Sequence, residues 1–522
     1  MSEGDPAAPE AIRSIAIVGG GTAGWSVAAQ LSHLLRGSGT AITVIESSDV
    51  PTVGVGEATI PPIFEFLHNC EIDEVDFIRA CDATFKLAIR FEGWLTRDSG
   101  YWHPFGNFGM TIDRRPFHHH WWRLAQADGG PHDLADYCPA IALAEQNRLT
   151  FPPHQASFPG SGLTFALHFD AGKVADFLAR HAMANGTARI VATITDVETA
   201  APDRVARLRF ADRAPIEADL YIDCSGFTGL LIERALRSGY ADWRDWLPCD
   251  RAVAMPTRVN PPRTPYALAA AQSAGWRWRI PLQSRTGNGY VYCSRFIGDD
   301  AAVDELAAAV DAPPLAEPRL LRFIPGHRER PWIGNVIAIG LAAGFLEPLE
   351  STSIHLIHTA INRLLDYWPD RHCDPVLADA FNRETRREYA HIRDFLMLHY
   401  LPNRRVGEPF WDHVRDLPIP DSLVEKLAMF TRAGRIVSRH AELFADISWF
   451  FVAVGMGLRP ASYDPLVTHS PLDQIDTIVA QMRTAMSAWR SAAPAHDQLL
   501  DRLRDPSETR RPDFALLRGA RR

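Results

Sequence analysis

The stretch "SIAIVGGGTAGWSVAAQLSHLL" changes its period as it runs. Its near-continuous apolar start reads as a buried strand, its glycines as a tight turn, and its remainder as a helix. "AITVIESS" predicts a second apolar strand ending in Glu46. "VGVGEATIPPIFEFL" predicts a glycine-punctuated loop entering a helix, and "VDFIRACDATFKLAIRFEGW" predicts a helix. Alternation returns near residue 160. There "GLTFALHFDAGKVADFLARHA" predicts a strand meeting a helix. "ARIVATITDVETA", "VARLRFAD" and "ADLYIDCSGF" predict antiparallel strands feeding back to a buried one. "NVIAIGLAAGFLEPLESTSIHLIHTAINRLL" repeats the order strand, loop, helix. From about Leu365 the pattern is mainly helical, with proline-marked breaks. In "GWRWRIP", alternation places Trp276 and Trp278 on one face and arginines on the other.

The chain's 522 residues exceed one simple core. The pattern predicts a discontinuous α/β lobe at 12–115 and 155–364 and a His-, Pro-, Trp- and Gly-rich insertion at 116–154. A helical lobe follows at 365–500, with flexible tails at 1–11 and 501–522. Lys and Arg number 54 against 63 Asp and Glu, a formal charge of −9. That balance disfavours nucleic acid and leaves small molecules or proteins as partners. No apolar run approaches the roughly 20 residues of a membrane span. With no basic-then-apolar start, a cytoplasmic protein is expected, and monomer and homodimer are both open. The seven cysteines are scattered, which predicts reduced, buried thiols. Consecutive His118, His119 and His120 point in different directions without supporting cysteine or carboxylate spacing, so a polar loop and no metal are expected.

Gly19-Gly20-Gly21-Thr22-Ala23-Gly24 satisfies G-x-G-x-x-G between the first strand and helix. Glycines permit the turn and close backbone approach, and the helix start attracts a pyrophosphate. Glu46 ends the second strand where a carboxylate can grip ribose hydroxyls. A second glycine turn, at Gly340 and Leu341, fits a flavin better than a nicotinamide nucleotide, as does Asp223 in "LYIDCSGFTG". FAD is therefore the expected cofactor. The expected fold is a Rossmann-like FAD-binding domain of the glutathione-reductase type, with an added antiparallel sheet and a mainly helical substrate lobe.

"GGGTAGW", "VGVGEATIP", "FKLAIRFEGW", "HPFGNFG", "GWRWRIP" and "GFLEPLEST" together resemble the flavin-dependent halogenases of the tryptophan-halogenase family, over about Ile15 to Pro465. Trp-x-Trp-x-Ile-Pro is the most specific of these. The resemblance implies that a separate reductase delivers reduced FAD, and that oxygen and chloride or bromide then give hypohalous acid. That oxidant would pass through an internal tunnel to Lys86, which presents electrophilic halogen to an aromatic substrate. Glu350 would be the partner carboxylate, with the halide on the N–H groups of Thr352 and Ser353. Further FAD contacts would come from Gly54, Val55, Gly56, Glu57 and Ala58, and from Ile354. Trp276, Trp278 and Pro281 would wall the flavin from organic substrate. His103, Pro104 and Phe105, with Trp449 and Phe450, would hold that substrate.

These residue types suit the chemistry. A buried lysine loses pKa toward a useful range, a carboxylate can take the ring proton, and preorganised N–H donors suit a shapeless halide. Ser353 stands where the family has glycine, which predicts strain if that position needs positive φ. The paired tyrosines and carboxylate that hold free tryptophan have no match in "MFTRAGRIVSRHAELFAD". Indole or another electron-rich aromatic is therefore expected ahead of free tryptophan. Two other readings are an aromatic hydroxylase using the flavin oxidant directly and a non-catalytic flavin-binding protein of a biosynthetic cluster. Halide dependence separates the first, and the presence of Lys86 and Glu350 weighs against the second.

Overall fold

A computed structural model describes residues 10–48, 56–127, 133–152, 158–438, 442–505, 507 and 512–517. Gly54, Val55 and most of the N-terminal tail lie outside the described residues. The apolar strand Ser14–Val18 sits inside a six-stranded sheet. The sheet order is Trp332–Ile333, Val336–Ala338, Leu220–Asp223, Ser14–Val18, Ala41–Glu46 and Ala188–Val191. Only the edge strand Trp332–Ile333 runs antiparallel to its neighbour. Helices cover such a sheet on its faces, which is why its central strands carry continuous rather than alternating apolar residues. The chain order reverses beside Ser14–Val18, so a crevice opens at that strand's carboxyl end.

A second, larger sheet is mostly antiparallel. It runs from Arg319–Arg322 through Arg251–Ala254, Arg285–Tyr292, Gly275–Pro281, Tyr266–Gln272 and Ala88–Glu92 to Gly100–Pro104. Trp278 lies opposite Gly289, where an added Cβ would stand 2.0 Å from the indole. The neighbouring strand thus omits a side chain to admit the ring.

Lys86 lies on a strand, which corrects the helix expected over residues 75–94. The helix stops at Ala80, Asp82 adopts φ 59°, and the chain enters the strands Thr84–Lys86 and Ala88–Glu92. The alternation of Phe85, Leu87, Ile89 and Phe91 supports pairing, but partners remote in sequence decide it. Thr84–Lys86 pairs with Ala166–Asp170, and Ala88–Glu92 with Tyr266–Gln272. Ala166–Asp170 also pairs with Gly56–Ala58, completing a three-stranded sheet.

Beyond Thr352 the described residues are largely helical, and the 26-residue helix Pro375–Tyr400 returns to the sheets. Among them, no helix is long and apolar enough to cross a membrane. All seven cysteines are free and buried. The three histidines form no polar loop: they belong to the helix Phe117–Ala127 and are buried. Phe117 and Trp121, one turn apart, pack on Phe108, and His118 meets the Phe450 ring. Burial depresses His118 to about 3 and His119 to about 4, so both are neutral at pH 7.

The expected free tail from 501 also needs correction for its described residues. The helix His496–Arg504 continues across that boundary, and the Arg79 guanidinium donates to the carbonyls of Leu503 and Asp505. Phe514 is buried, stacks on Phe64 at 5.4 Å and meets Phe151 edge-on. A tail phenylalanine therefore completes a core cluster. Phe514→Ala is expected to destabilise the fold by about 3 kcal/mol, read as a lower thermal midpoint. An unchanged midpoint would show that Phe514 adds nothing to the core.

Candidate active site

A cavity of about 800 Å³ occupies the crevice at the end of Ser14–Val18. Gly19 has φ 119°, and a Cβ there would stand 2.2 Å from the Cys224 carbonyl oxygen. One at Gly24 would stand 1.9 Å from the Gly19 oxygen, whereas a Cβ at Gly21 would meet nothing within 4 Å. Gly24 therefore serves helix packing, and Gly21 opens to the cavity. The helix Thr22–Leu34 has no side-chain cap, so its first N–H groups remain available to an anion. Glu46 reaches the cavity and accepts a hydrogen bond from Arg189 Nε at 2.6 Å. Gly56, Glu57 and Ala58 line it, as do Gly340, Leu341 and Ile354. Burial pushes the Glu57 carboxyl up to about 7. This glycine cradle, uncapped helix and largely apolar wall fit an FAD.

Asp223 does not join them. Its carboxylate turns inward and accepts from the backbone N–H groups of Ser225, Leu231 and Ile232, at 3.0, 2.8 and 2.8 Å. Cys224, Ser225 and Gly226 line the cavity in its place. Asp223 thus shapes the turn that frames the nucleotide crevice.

Trp276 and Trp278 both face the cavity, with ring centres 6.3 Å apart. Behind them, Trp276 Nε1 donates to Glu347 Oε2 at 3.4 Å, and the Tyr400 hydroxyl donates to the same oxygen at 2.8 Å. Burial raises the Glu347 carboxyl to about 7, opposed by those donors. Pro281 lies off the cavity, where its carbonyl accepts from Thr84 Oγ1 at 2.6 Å. The proline belongs to the strand rather than to the wall.

The loop before the helix Thr352–Asp366 holds its strain at two residues. Glu350 has φ 67° and Ser351 φ 60°. Non-glycine residues in that region cost on the order of 1–3 kcal/mol each and concentrate where geometry serves function. Ser353 is helical, so the positive φ under which a serine would be strained there does not arise. Ser351 provides no side-chain cap to the Thr352–Asp366 helix, and Ser353 lines the cavity, whereas Thr352 is buried beside it. The amides of Thr352 and Ser353 therefore begin a helix whose start can receive an anion.

Lys86 is fully buried, and its Nζ donates to the Thr59 carbonyl and to Ser351 Oγ, both at 2.9 Å. The Phe105 ring centre lies 5.0 Å from the same nitrogen. Burial lowers the lysine to about 7, partly opposed by the Glu350 charge. Near neutral pH it can donate a hydrogen bond as an ammonium or act as an amine.

Two histidines, rather than Lys86, are the close partners of Glu350. His103 Nδ1 is 2.6 Å from Oε2, and His399 Nε2 is 3.1 Å from Oε1. Burial alone would raise this carboxyl, but the two histidines overcome it and hold the group at about 2. His103, expected as a substrate contact, therefore also braces the carboxylate, while its Nε2 is buried without a partner. Around it stand Phe105, Phe395 and Phe444. Trp449 meets Phe395 edge-on at 5.0 Å. Phe450 turns away into a cluster with Phe108 and His118, and Pro104 ends the strand paired to Ala88. Phe395, Phe444, His399, Ser351 and Thr59 were not found from sequence. Thr59 and Ser351 lie inside quoted motifs and were the two within reach; the others come from distant helices and loops.

The family model for tryptophan halogenase matches residues 14–472. The chain is 35% identical to the tryptophan 7-halogenase RebH of Lentzea aerocolonigenes, over 94% of this chain and 98% of that protein. A flavin-dependent halogenase from Brevundimonas sp. BAL3 has a similar structure, with 42% identity, TM-score 0.90, and coverage of 94% of this chain and 99% of that one. One from Xanthomonas campestris has 41% identity and TM-score 0.90, covering 94% and 98%. The chain belongs to the tryptophan halogenase family.

The depressed Glu350 pKa makes a stability prediction. A carboxyl with a lowered folded-state pKa contributes stability that is full above its unfolded value, 4.5, and is lost as pH falls toward 2. Glu350→Gln is therefore expected to melt below the parent at pH 7, with the gap shrinking as pH falls through 4.5. Thermal scans at several pH values check this; a pH-independent gap counts against the ionised, histidine-held state.

Proposed function

We propose that this protein is an FAD-dependent halogenase that uses reduced flavin, oxygen and chloride or bromide to halogenate an electron-rich aromatic, an indole or indole derivative. A separate reductase supplies the reduced flavin. The single observation that carries the arrangement is Ser351, which lines the flavin cavity and accepts a hydrogen bond from Lys86 Nζ. The cofactor crevice and the buried lysine therefore share one strained turn.

Bound reduced FAD supplies the electrons that activate oxygen. The remaining roles belong to the chain. Amides of Thr352 and Ser353 hold halide at the helix start, while Trp276 and Trp278 exclude an organic molecule from the flavin. Hypohalous acid reaches Lys86, whose Nζ orients it among Thr59, Ser351 and Phe105. The aromatic carbon takes the halogen, hydroxide leaves to become water, and Glu350 accepts the ring proton. Phe105, Phe395, Phe444 and Trp449 offer flat apolar faces to the substrate.

The substrate reading favours indole over free tryptophan. Residues 429–446 contain no tyrosine. The nearby Glu442 side chain is largely covered and committed to Lys426, whose ammonium sits 4.2 Å over the Trp449 ring. That carboxylate is not free to receive an amino acid's ammonium group.

Incubation with a generic flavin reductase, oxygen, either halide and a panel of small aromatics tests the function by mass spectrometry. Halogenated indole exceeding halogenated tryptophan is expected, with no product in halide-free buffer. Hydroxylated product without halide would favour a hydroxylase, and no turnover of any aromatic would favour a binding protein. Lys86→Ala should keep FAD affinity and lose product by at least about 100-fold; substantial halogenation by that variant would overturn its role. Replacing Trp276 and Trp278 by alanine should leave FAD bound and admit some hydroxylation. Failure of a substrate analogue to enter the enlarged cavity would count against their acting as a barrier.

A further inference from the structure

Behind Glu350 stands a buried polar chain that the proposed chemistry does not use. The Tyr101 hydroxyl and His399 Nδ1 are hydrogen-bonded at 2.7 Å, and His399 Nε2 stands 3.1 Å from Glu350 Oε1 as an ion-pair contact off hydrogen-bond alignment. The Phe91 ring fixes both members: it stacks on Tyr101 at 4.7 Å and on His399 at 4.6 Å. Phe395 meets the His399 ring edge-on at 5.4 Å, and the imidazole is fully buried.

Proton inventory fixes the roles. Burial raises the Tyr101 hydroxyl well above its ordinary range and lowers His399. A neutral tyrosine has a proton to donate, and a neutral imidazole carries one N–H. With Tyr101 donating to Nδ1, the imidazole proton must lie on Nε2, facing the carboxylate. The opposite tautomer would turn a lone pair toward the anion and leave the Tyr101 proton without an acceptor among the described residues. One aromatic hydroxyl thus decides which nitrogen faces Glu350.

We propose that Tyr101 and His399 are positioning residues for the Glu350 carboxylate: the Tyr101 hydroxyl selects the His399 tautomer that carries its N–H on Nε2, 3.1 Å from Oε1, and so keeps the group ionised and oriented. This rests on Glu350 being the proton acceptor. Groups facing Glu350 come from three elements: His103 on Gly100–Pro104, His399 on Pro375–Tyr400, and Lys86 on Thr84–Lys86, with Tyr101 behind His399. His103 holds the second oxygen, so removing His399 frees only one side. The carboxylate would then rotate and protonate more readily, since burial favours its neutral form.

The test measures kcat and KM for indole across roughly pH 5 to 9 in His399→Phe, His399→Gln, Tyr101→Phe and Glu350→Gln. FAD binding and thermal midpoints of the apo-proteins are followed in parallel. In the parent the Glu350 step lies far below this window, and the Lys86 step near 7 is common to all variants that retain the lysine. His399→Phe is expected to lower kcat at least about tenfold with KM within about twofold, and to bring an additional acid limb into the window. His399→Gln, which keeps an N–H donor, should recover much of the loss, and Tyr101→Phe should move the limb in the same direction by less. Should His399→Phe fold poorly, the Tyr101→Phe profile decides. Parent-like acid limbs in the Phe variants that fold, or losses entirely in KM, would overturn the positioning role. Glu350→Gln separates the two failures. If it is inactive with FAD bound while the other variants match the parent, only the positioning role falls; if it halogenates at the parent rate, the base assignment falls and the positioning role with it.

Discussion

The burial of the Lys86 ammonium nitrogen is the constraint on which the rest of the site depends. A lysine removed from water loses several kcal/mol of solvation unless it is partnered or neutral. Here it takes two neutral oxygens, from Thr59 and Ser351, instead of an intimate carboxylate. Burial, only partly opposed by the Glu350 charge, lowers it to about 7. The two hydrogen bonds fix three separate chain segments: the strand of Lys86, the turn after Gly56–Ala58, and the strained turn before the helix Thr352–Asp366.

Glu350 is managed in the opposite way. It is kept ionised inside the protein by imidazoles on both oxygens, away from direct contact with the lysine. Three residues earlier, Glu347 is equally buried but has neutral donors, Tyr400 and Trp276, and titrates near 7. Both are gripped by consecutive residues, His399 and Tyr400, at the end of one long helix. Two carboxylates in "EPLE" thus acquire different charge states because their hydrogen-bond partners differ. The helical part and the flavin lobe are joined at that end by polar contacts as well as apolar packing.

Several features were legible from sequence because they are local. Gly19 and Gly24 announce a turn that no Cβ could enter, and the apolar run of Ser14–Val18 announces a strand covered on both faces. Trp276 and Trp278 follow from strict alternation, and both do face the cavity. The helix assigned to "FKLAIRF" failed because pairing with residues 166–170 and 266–272 outweighs a mixed local pattern. Asp223 looked like a nucleotide contact by spacing, but three unsatisfied backbone N–H groups claim its carboxylate. Whether Ser353 needed positive φ was open from sequence; the left-handed residues are Glu350 and Ser351, just before the helix.

The sequence by itself determined the family, the nucleotide turn, the paired indoles, and the presence of a lysine and a glutamate with suitable chemistry. It did so because each is written in contiguous residues whose spacing has a direct geometric meaning. Only the tertiary structure decided what those two charges touch. Lys86 and Ser351 are 265 positions apart, and His103 and Glu350 247. Their pKa values and orientations come from burial and from partners brought in by other elements, quantities that no local pattern encodes.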